Sequence, residues 1–148
     1  MTPSTPKSPA QTNPIAPAAP AKSTYWILLV DDEAPVLQLI ETVLSSRGFD
    51  VRTARGAPAA LNLAKRASTP PALLICDVIM PQTDGLALTR QLRARLPGLK
   101  VIFISGKIAD SAWWPADLSN IRLLAKPLVN ADLILAVEEI LADAEAQS

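Results

Sequence analysis

Polar side chains follow short apolar runs at four points of the chain. Asp31 and Asp32 come directly after one run, and Asp77 follows a second. Ser105 follows a third run, and Lys126 follows a fourth, weaker one. If these runs are parallel strands, their carboxyl ends meet at one edge of a sheet, where such sheets bind ligands. The spacing therefore predicts that three carboxylates, a hydroxyl and an ammonium converge on one site.

These residue types favour phosphoryl chemistry. Crowded carboxylates repel one another, and Mg²⁺ relieves that repulsion while it retains waters and accepts phosphate oxygens. An aspartate can attack a phosphoryl group and form an acyl phosphate. Lys126 can balance the phosphoryl charge, and Ser105 can donate a hydrogen bond to a phosphoryl oxygen. The chain has no histidine, so a phosphohistidine on this chain, His-ligated metals and Ser-His-Asp hydrolysis are excluded.

The elements that must position these residues follow an alternating order. Continuous apolar runs are typical of strands buried on both faces, as in parallel sheets. The predicted strands are residues 26–30, 49–54, 72–76, 100–104 and 121–125. Apolar residues at helical spacing predict helices at 35–47, 57–67, 86–96 and 131–144. Asn130 is the expected cap of the last helix, and the order predicts an α/β domain with right-handed crossovers.

Two segments depart from this regular pattern. Residues 1–24 hold six of the fourteen prolines and few apolar side chains, which predicts a disordered Pro/Ala-rich tail. In the segment 107–120, Pro115 falls where a helix would otherwise run, so any helix there is expected to be short or irregular.

Composition narrows the class of protein. The 148 residues carry 14 basic and 14 acidic side chains, and 49% are hydrophobic, which suits one domain with a real core. Zero net charge argues against a nucleic-acid partner, and no apolar run approaches the roughly 18 residues that would cross a membrane. The lone Cys76 excludes an internal disulfide and is expected to be a core thiol. We expect a cytoplasmic protein.

The motifs together resemble those of response-regulator receiver domains, the phosphoacceptor half of two-component signalling. The resemblance covers about residues 25–146. It rests on Asp31-Asp32, on the segment from Asp77 to Gly85, on Ser105-Gly106 and on Lys126-Pro127. It implies a flavodoxin-like doubly wound sheet of five parallel strands in the order 2-1-3-4-5, with helices on both faces.

The resemblance also implies a metal site around the phosphoacceptor. Asp77 matches the phosphorylated aspartate. Asp32 matches the direct Mg²⁺ ligand, and Asp31 matches its acidic partner, which often acts through water. The backbone carbonyl of Ile79 matches the third protein ligand.

Further positions match the switch and phosphoryl-binding residues. Ser105 matches the switch hydroxyl, and Lys126 matches the phosphoryl-binding lysine, whose bond to Pro127 is cis in the family. The implied activity is self-catalysed transfer of a phosphoryl group from a histidine kinase or histidine phosphotransfer protein, followed by hydrolysis. The chain is thus expected to be a signalling phosphoacceptor and not an enzyme with a separate substrate.

Three features depart from the family pattern: the residue at position 123; Leu128, which replaces an aromatic residue often found just after the Lys-Pro pair; and the fourth-helix segment from Ser111 to Leu118. Leu123 stands where many receivers carry an aromatic switch residue, and leucine cannot form the hydrogen bond that tyrosine would. Trp113 and Trp114 are adjacent in the irregular segment. On a helix they would point in different directions, so one could anchor a partner, or both could plug a shortened segment.

Several functional hypotheses stay open. The first is a stand-alone receiver that signals to an unknown downstream protein, since no output domain follows the last predicted helix; a variant is the receiver of a hybrid histidine kinase. An alternative is a degenerate receiver that binds partners without phosphorylation. A phosphohydrolase fits less well, because Val78 and Ile79 follow Asp77 where such enzymes carry a second acid. A flavin site lacks its phosphate-binding loop.

Overall fold

The structure is a computed structural model that describes residues 26–78, 85–106 and 121–147. Five strands and four helices occupy these ranges. In chain order they are β1 (Ile27–Val30), α1 (Ala34–Ser45), β2 (Val51–Ala54), α2 (Ala57–Arg66), β3 (Leu73–Asp77), α3 (Gly85–Arg95), β4 (Lys100–Ser105), β5 (Ile121–Ala125) and α4 (Asn130–Gln147). The predicted tail at 1–24 and the predicted irregular helix at 107–120 lie outside the described residues.

The strands form one parallel sheet in the order β2-β1-β3-β4-β5. This confirms the predicted flavodoxin-like order. The chain passes from β1 outward to β2 and then returns to β3 on the other side of β1. In sheets of this kind, a crevice opens where the strand order reverses, at the carboxyl ends of the two strands on either side of the reversal. The topology therefore places the candidate site beyond β1 and β3.

Helices cover both faces of the sheet, which explains the continuous apolar runs. Along β1, Leu28 and Val30 face the side covered by α2 and α3, whereas Ile27 and Leu29 face the side covered by α1 and α4. All four side chains are buried. Each face of the sheet packs against its own apolar core, so every residue of β1 is apolar. The first polar residue is Asp31, directly after the strand.

Most element boundaries lie within two residues of those predicted. Asp77 and Ser105 are the last residues of their strands and not the first residues after them. The prediction that Asn130 caps the last helix is wrong, because the Val129 carbonyl accepts the Leu133 N–H at 3.1 Å and Asn130 lies inside the helix. None of the described helices is long and apolar enough to cross a bilayer.

Helix α3 begins in close contact with the end of β3. The Gly85 N–H donates to the Val78 carbonyl at 2.7 Å, and the buried Thr89 hydroxyl donates to the Gly85 carbonyl at 2.7 Å. A Cβ at position 85 would lie 2.6 Å from the Asp77 carbonyl oxygen and 3.2 Å from the Cys76 sulfur. The first residue of α3 must therefore be glycine for the backbone of Asp77 to keep its place.

We expect Gly85→Ala to lower the free energy of unfolding by about 1–2 kcal/mol. The added methyl would lie 2.6 Å from a backbone oxygen, so its overpacking cost falls toward the upper end of the usual range of about 1–3 kcal/mol. The roughly 1 kcal/mol by which alanine exceeds glycine in helix propensity offsets part of that cost. Urea denaturation of both proteins measures the difference. Gly106→Ala is the control, since a Cβ there meets only the Lys126 side chain at 3.8 Å. Equal stability of the two variants would show that position 85 has room for a side chain.

Candidate functional site

Three carboxylates meet at the carboxyl edge of the sheet. Val30 lies beside Cys76 in the β1–β3 register, so the residues that follow them, Asp31 and Asp77, are neighbours. Asp31 and Asp77 are buried, and Asp32 is half-buried. One oxygen from each of the three carboxylates lies within 4.8 Å of the others. The structure thus brings together the three acidic residues that the sequence singled out.

The ammonium of Lys126 reaches this carboxylate group from β5. The Lys126 N–H donates to the Ser105 carbonyl at 2.9 Å, which fixes the residue that follows β5 against the end of β4. Its Nζ lies 3.1 Å from Asp77 Oδ2, 3.4 Å from Asp31 Oδ2 and 3.5 Å from Glu33 Oε1. The Lys126–Pro127 peptide bond is cis. One cation therefore contacts three carboxylates.

Ser105 lies at the same edge, as the last residue of β4. It is buried and pairs in register with Ala125, the residue before the lysine. Strand β4 lies between β3 and β5. The hydroxyl is therefore carried by the strand between those that position Asp77 and Lys126.

Hydrogen bonds fix the backbone and one carboxylate oxygen of Asp31, but its other carboxylate oxygen accepts none from the described residues. Its backbone N–H donates to the Ala54 carbonyl at 3.2 Å, and its Oδ1 accepts the Glu33 N–H at 2.9 Å. Its Oδ2 is buried and accepts no hydrogen bond from the described residues. Burial raises the pKa of Asp31, although the Glu33 N–H and the Lys126 charge act in the opposite direction.

The pKa of Lys126 is raised, and opposing effects determine it. Burial is the largest single effect and acts to lower this pKa. The hydrogen bond to Asp77 and the negative charges of the surrounding carboxylates together outweigh burial and raise the pKa. Because the shift is upward from an already high value, Lys126 is a cation at neutral pH.

The carboxylate group fits a hard divalent cation. Asp31 Oδ2 is buried, accepts no hydrogen bond from the described residues and shares the Lys126 ammonium, 3.4 Å away, with two other carboxylates. The three clustered carboxylates supply only oxygen ligands. Mg²⁺ prefers such ligands and keeps several waters. The expected third protein ligand, the Ile79 carbonyl, lies outside the described residues. The site that the structure does describe is compatible with Mg²⁺.

The structure adds two residues that the sequence analysis missed. Glu33 contacts the Lys126 ammonium, and the Arg55 guanidinium donates to the Asp32 carbonyl at 3.3 Å. An available signal was that Glu33 is a third consecutive acid after β1. The pairing of Arg55 depends on β2 lying next to β1, which no local pattern encodes.

The proposed partner residues are only partly described. Leu123 is half-buried, lies beside Phe103 in the β4–β5 register and packs against the core cluster on the α2 and α3 side. Trp113 and Trp114 lie outside the described part of the chain. Their role in a partner surface stays a prediction.

We expect Asp31→Asn to raise the free energy of unfolding at pH 7 in a chelator, because it removes a buried carboxylate charge. A raised native pKa means that the native state binds the proton more tightly, so wild-type stability falls as pH rises from the unfolded value of 3.8 through the native pKa. The gain should therefore shrink as pH falls through this window. Urea denaturation across that pH range measures it.

The matched control is Asp132→Asn, which removes an exposed carboxylate at the start of α4. It should show no comparable gain at neutral pH. If Asp31→Asn lowered stability at pH 7, the carboxylate charge would be stabilising the native state, in contradiction to the burial argument.

Comparison with known proteins agrees with this geometry. The family model for the response regulator receiver domain matches residues 27–138. The transcriptional regulatory protein CssR of Bacillus subtilis is 31% identical over 120 residues, which cover 80% of this chain and 52% of CssR. The sensor kinase CckA of Brucella abortus is 32% identical over 134 residues, or 89% of this chain and 14% of CckA. The chain thus spans about half or less of these curated relatives.

A solved structure has the same fold over most of this chain. The response regulator receiver domain protein from Clostridium thermocellum superposes with a TM-score of 0.75 at 26% identity, over 84% of this chain and 99% of that one. The matched range, residues 27–138, contains the three clustered carboxylates, Ser105 and Lys126. This chain therefore belongs to the family of response regulator receiver domains of two-component systems.

Proposed function

We propose that this chain accepts a phosphoryl group on Asp77 from a histidine kinase or a histidine phosphotransfer protein. The observation that carries the proposal is the Asp77 carboxylate itself, which lies 3.1 Å from the Lys126 ammonium and beside two further carboxylates. Family membership supports the choice of donor, since CckA, one of the relatives, is named a sensor kinase.

In the proposed transfer, an oxygen of the Asp77 carboxylate forms a new P–O bond while the P–N bond of the donor's phosphohistidine breaks. The imidazole nitrogen keeps the electron pair of the broken bond. Lys126 donates to phosphoryl oxygens and balances their charge, and Ser105 supplies a hydroxyl hydrogen bond. Positioning and electrostatics of this kind provide most of the catalysis in phosphoryl transfer.

Asp31, Asp32 and Asp77 would hold Mg²⁺ in this proposal, because they supply the clustered oxygens. The ion would add positive charge beside the phosphoryl oxygens when bound. Asp31 contributes its buried Oδ2, which the described protein groups leave without a hydrogen bond. Water later attacks the phosphorus of the acyl phosphate, the P–O bond to Asp77 breaks, and inorganic phosphate leaves while the Asp77 carboxylate is restored.

We also propose that the phosphorylated chain signals through a protein contact, as a cytoplasmic phosphoacceptor without nucleic-acid or membrane partners. The balanced charge of the sequence supports the exclusion of nucleic acid. The downstream protein is identified only as a partner that distinguishes the two phosphorylation states.

The test is the intact mass of wild type and Asp77→Asn after incubation with acetyl phosphate, with Mg²⁺ or with a chelator. We expect one phosphoryl adduct on the wild type with Mg²⁺ and none on Asp77→Asn, because an amide is a poor nucleophile. Asp50→Asn is the control, since this exposed aspartate precedes β2 at the opposite edge and should leave phosphorylation unchanged.

Samples taken at early times guard against rapid hydrolysis of the adduct. An adduct that persists on Asp77→Asn would remove Asp77 from its proposed role. A wild type that never carries an adduct would favour the alternative, a receiver that binds partners without phosphorylation.

A further inference from the structure

We infer that Glu33 is a positioning residue, which competes with an incoming phosphoryl group for the ammonium of Lys126 and so slows phosphoryl capture. The inference rests on the proposed function, because it concerns the same site. Glu33 lies outside the group of three clustered carboxylates, and the proposed function gives it no role.

The first observation is how the ammonium of Lys126 is shared. An ammonium has three N–H donors. The Lys126 ammonium donates to Asp77 and to Glu33 and forms a further ion pair with Asp31 Oδ2 at 3.4 Å. The contact with Asp77 is the shortest, and the contact with Glu33 is the longest. An arriving phosphoryl group brings several anionic oxygens to an ammonium with one remaining N–H donor, so one of the existing partners must release the ammonium for it to donate to more than one of them.

The second observation is that the backbone of Glu33 is fixed while its side chain is not used locally. Glu33 is the N-cap residue of α1, and its carbonyl accepts the N–H groups of Val36 and Leu37, each at 3.1 Å. Its own N–H donates to Asp31 Oδ1. The side chain makes no capping hydrogen bond and instead reaches Lys126. The fold thus presents this carboxylate to the lysine.

The exposed fractions of the three carboxylate side chains identify Glu33 as the partner that releases Lys126. Its side chain is 58% exposed, whereas those of Asp77 and Asp31 are 10% and 1% exposed. Water can replace the lysine at an exposed carboxylate, but a buried carboxylate would lose the charge of Lys126 without gaining water in its place. Release of Glu33 therefore accompanies the capture of a phosphoryl oxygen by Lys126, and its cost slows the transfer.

The experiment measures the rate of phosphorylation by acetyl phosphate with Mg²⁺ at fixed ionic strength, followed by intact mass. Glu33→Gln should raise the rate about two- to five-fold, in line with the strength of an exposed ion pair. Glu33→Asp should raise it similarly, because it keeps the charge but shortens the side chain by one methylene. Beryllofluoride, a non-covalent phosphoryl analogue, should bind both variants more tightly by a similar factor.

The control is Glu41→Gln, which removes the same charge from α1 two turns further along the helix. It should phosphorylate at the wild-type rate. Equal acceleration by Glu41→Gln, or a Glu33→Asp rate equal to the wild-type rate, would overturn the inference in favour of a long-range charge effect. A wild type that is phosphorylated and a Glu33→Gln variant of equal rate would overturn this inference alone. A wild type without any adduct would overturn the proposed function and this inference with it.

Discussion

The contact between the Lys126 ammonium and the carboxylates of Asp31 and Asp77 is the interaction on which the carboxyl edge of the sheet depends. Both carboxylates are buried, and each would be costly to hold as an anion without a nearby cation. The lysine follows β5, whereas the aspartates belong to the ends of β1 and β3. The charge balance therefore exists only when the complete strand order has formed, so the site is a product of the whole sheet.

Lys126 does not neutralise all of the carboxylates around it, and the remaining negative charge suits the site to a cation. Asp31 retains a buried oxygen that accepts no hydrogen bond from the described residues, and burial keeps its pKa raised. A group of this kind lowers stability while it favours a cation. The same excess of negative charge makes Lys126 the positive group that a phosphoryl oxygen must share with existing partners. The buried carboxylate that prepares this edge for a cation thus also lowers the stability of the fold.

The strands and the polar residues at their carboxyl ends could be predicted from the sequence because both depend on local signals. Apolar runs that end in a polar residue mark buried parallel strands, and the family resemblance then set their order. Contacts between elements that are far apart in the sequence were harder to predict from it. No periodicity predicts that Glu33 turns from its helix to Lys126, or that Gly85 must leave room for the Asp77 carbonyl. The cap was misplaced at Asn130 because residue preference alone cannot separate neighbouring positions at a helix start.

The most direct test of this account is the stability of Lys126→Met in a chelator and in Mg²⁺, measured by urea denaturation at neutral pH. The variant keeps most of the apolar stem and loses the charge. The account predicts that the free energy of unfolding falls by about 1–3 kcal/mol in the chelator, as for the loss of hydrogen bonds to charged groups. It also predicts that Mg²⁺ stabilises the variant more than the wild type. Lys65→Met, at the exposed end of α2, is the control. A Lys126→Met protein as stable as the wild type, with the same response to Mg²⁺, would contradict the account.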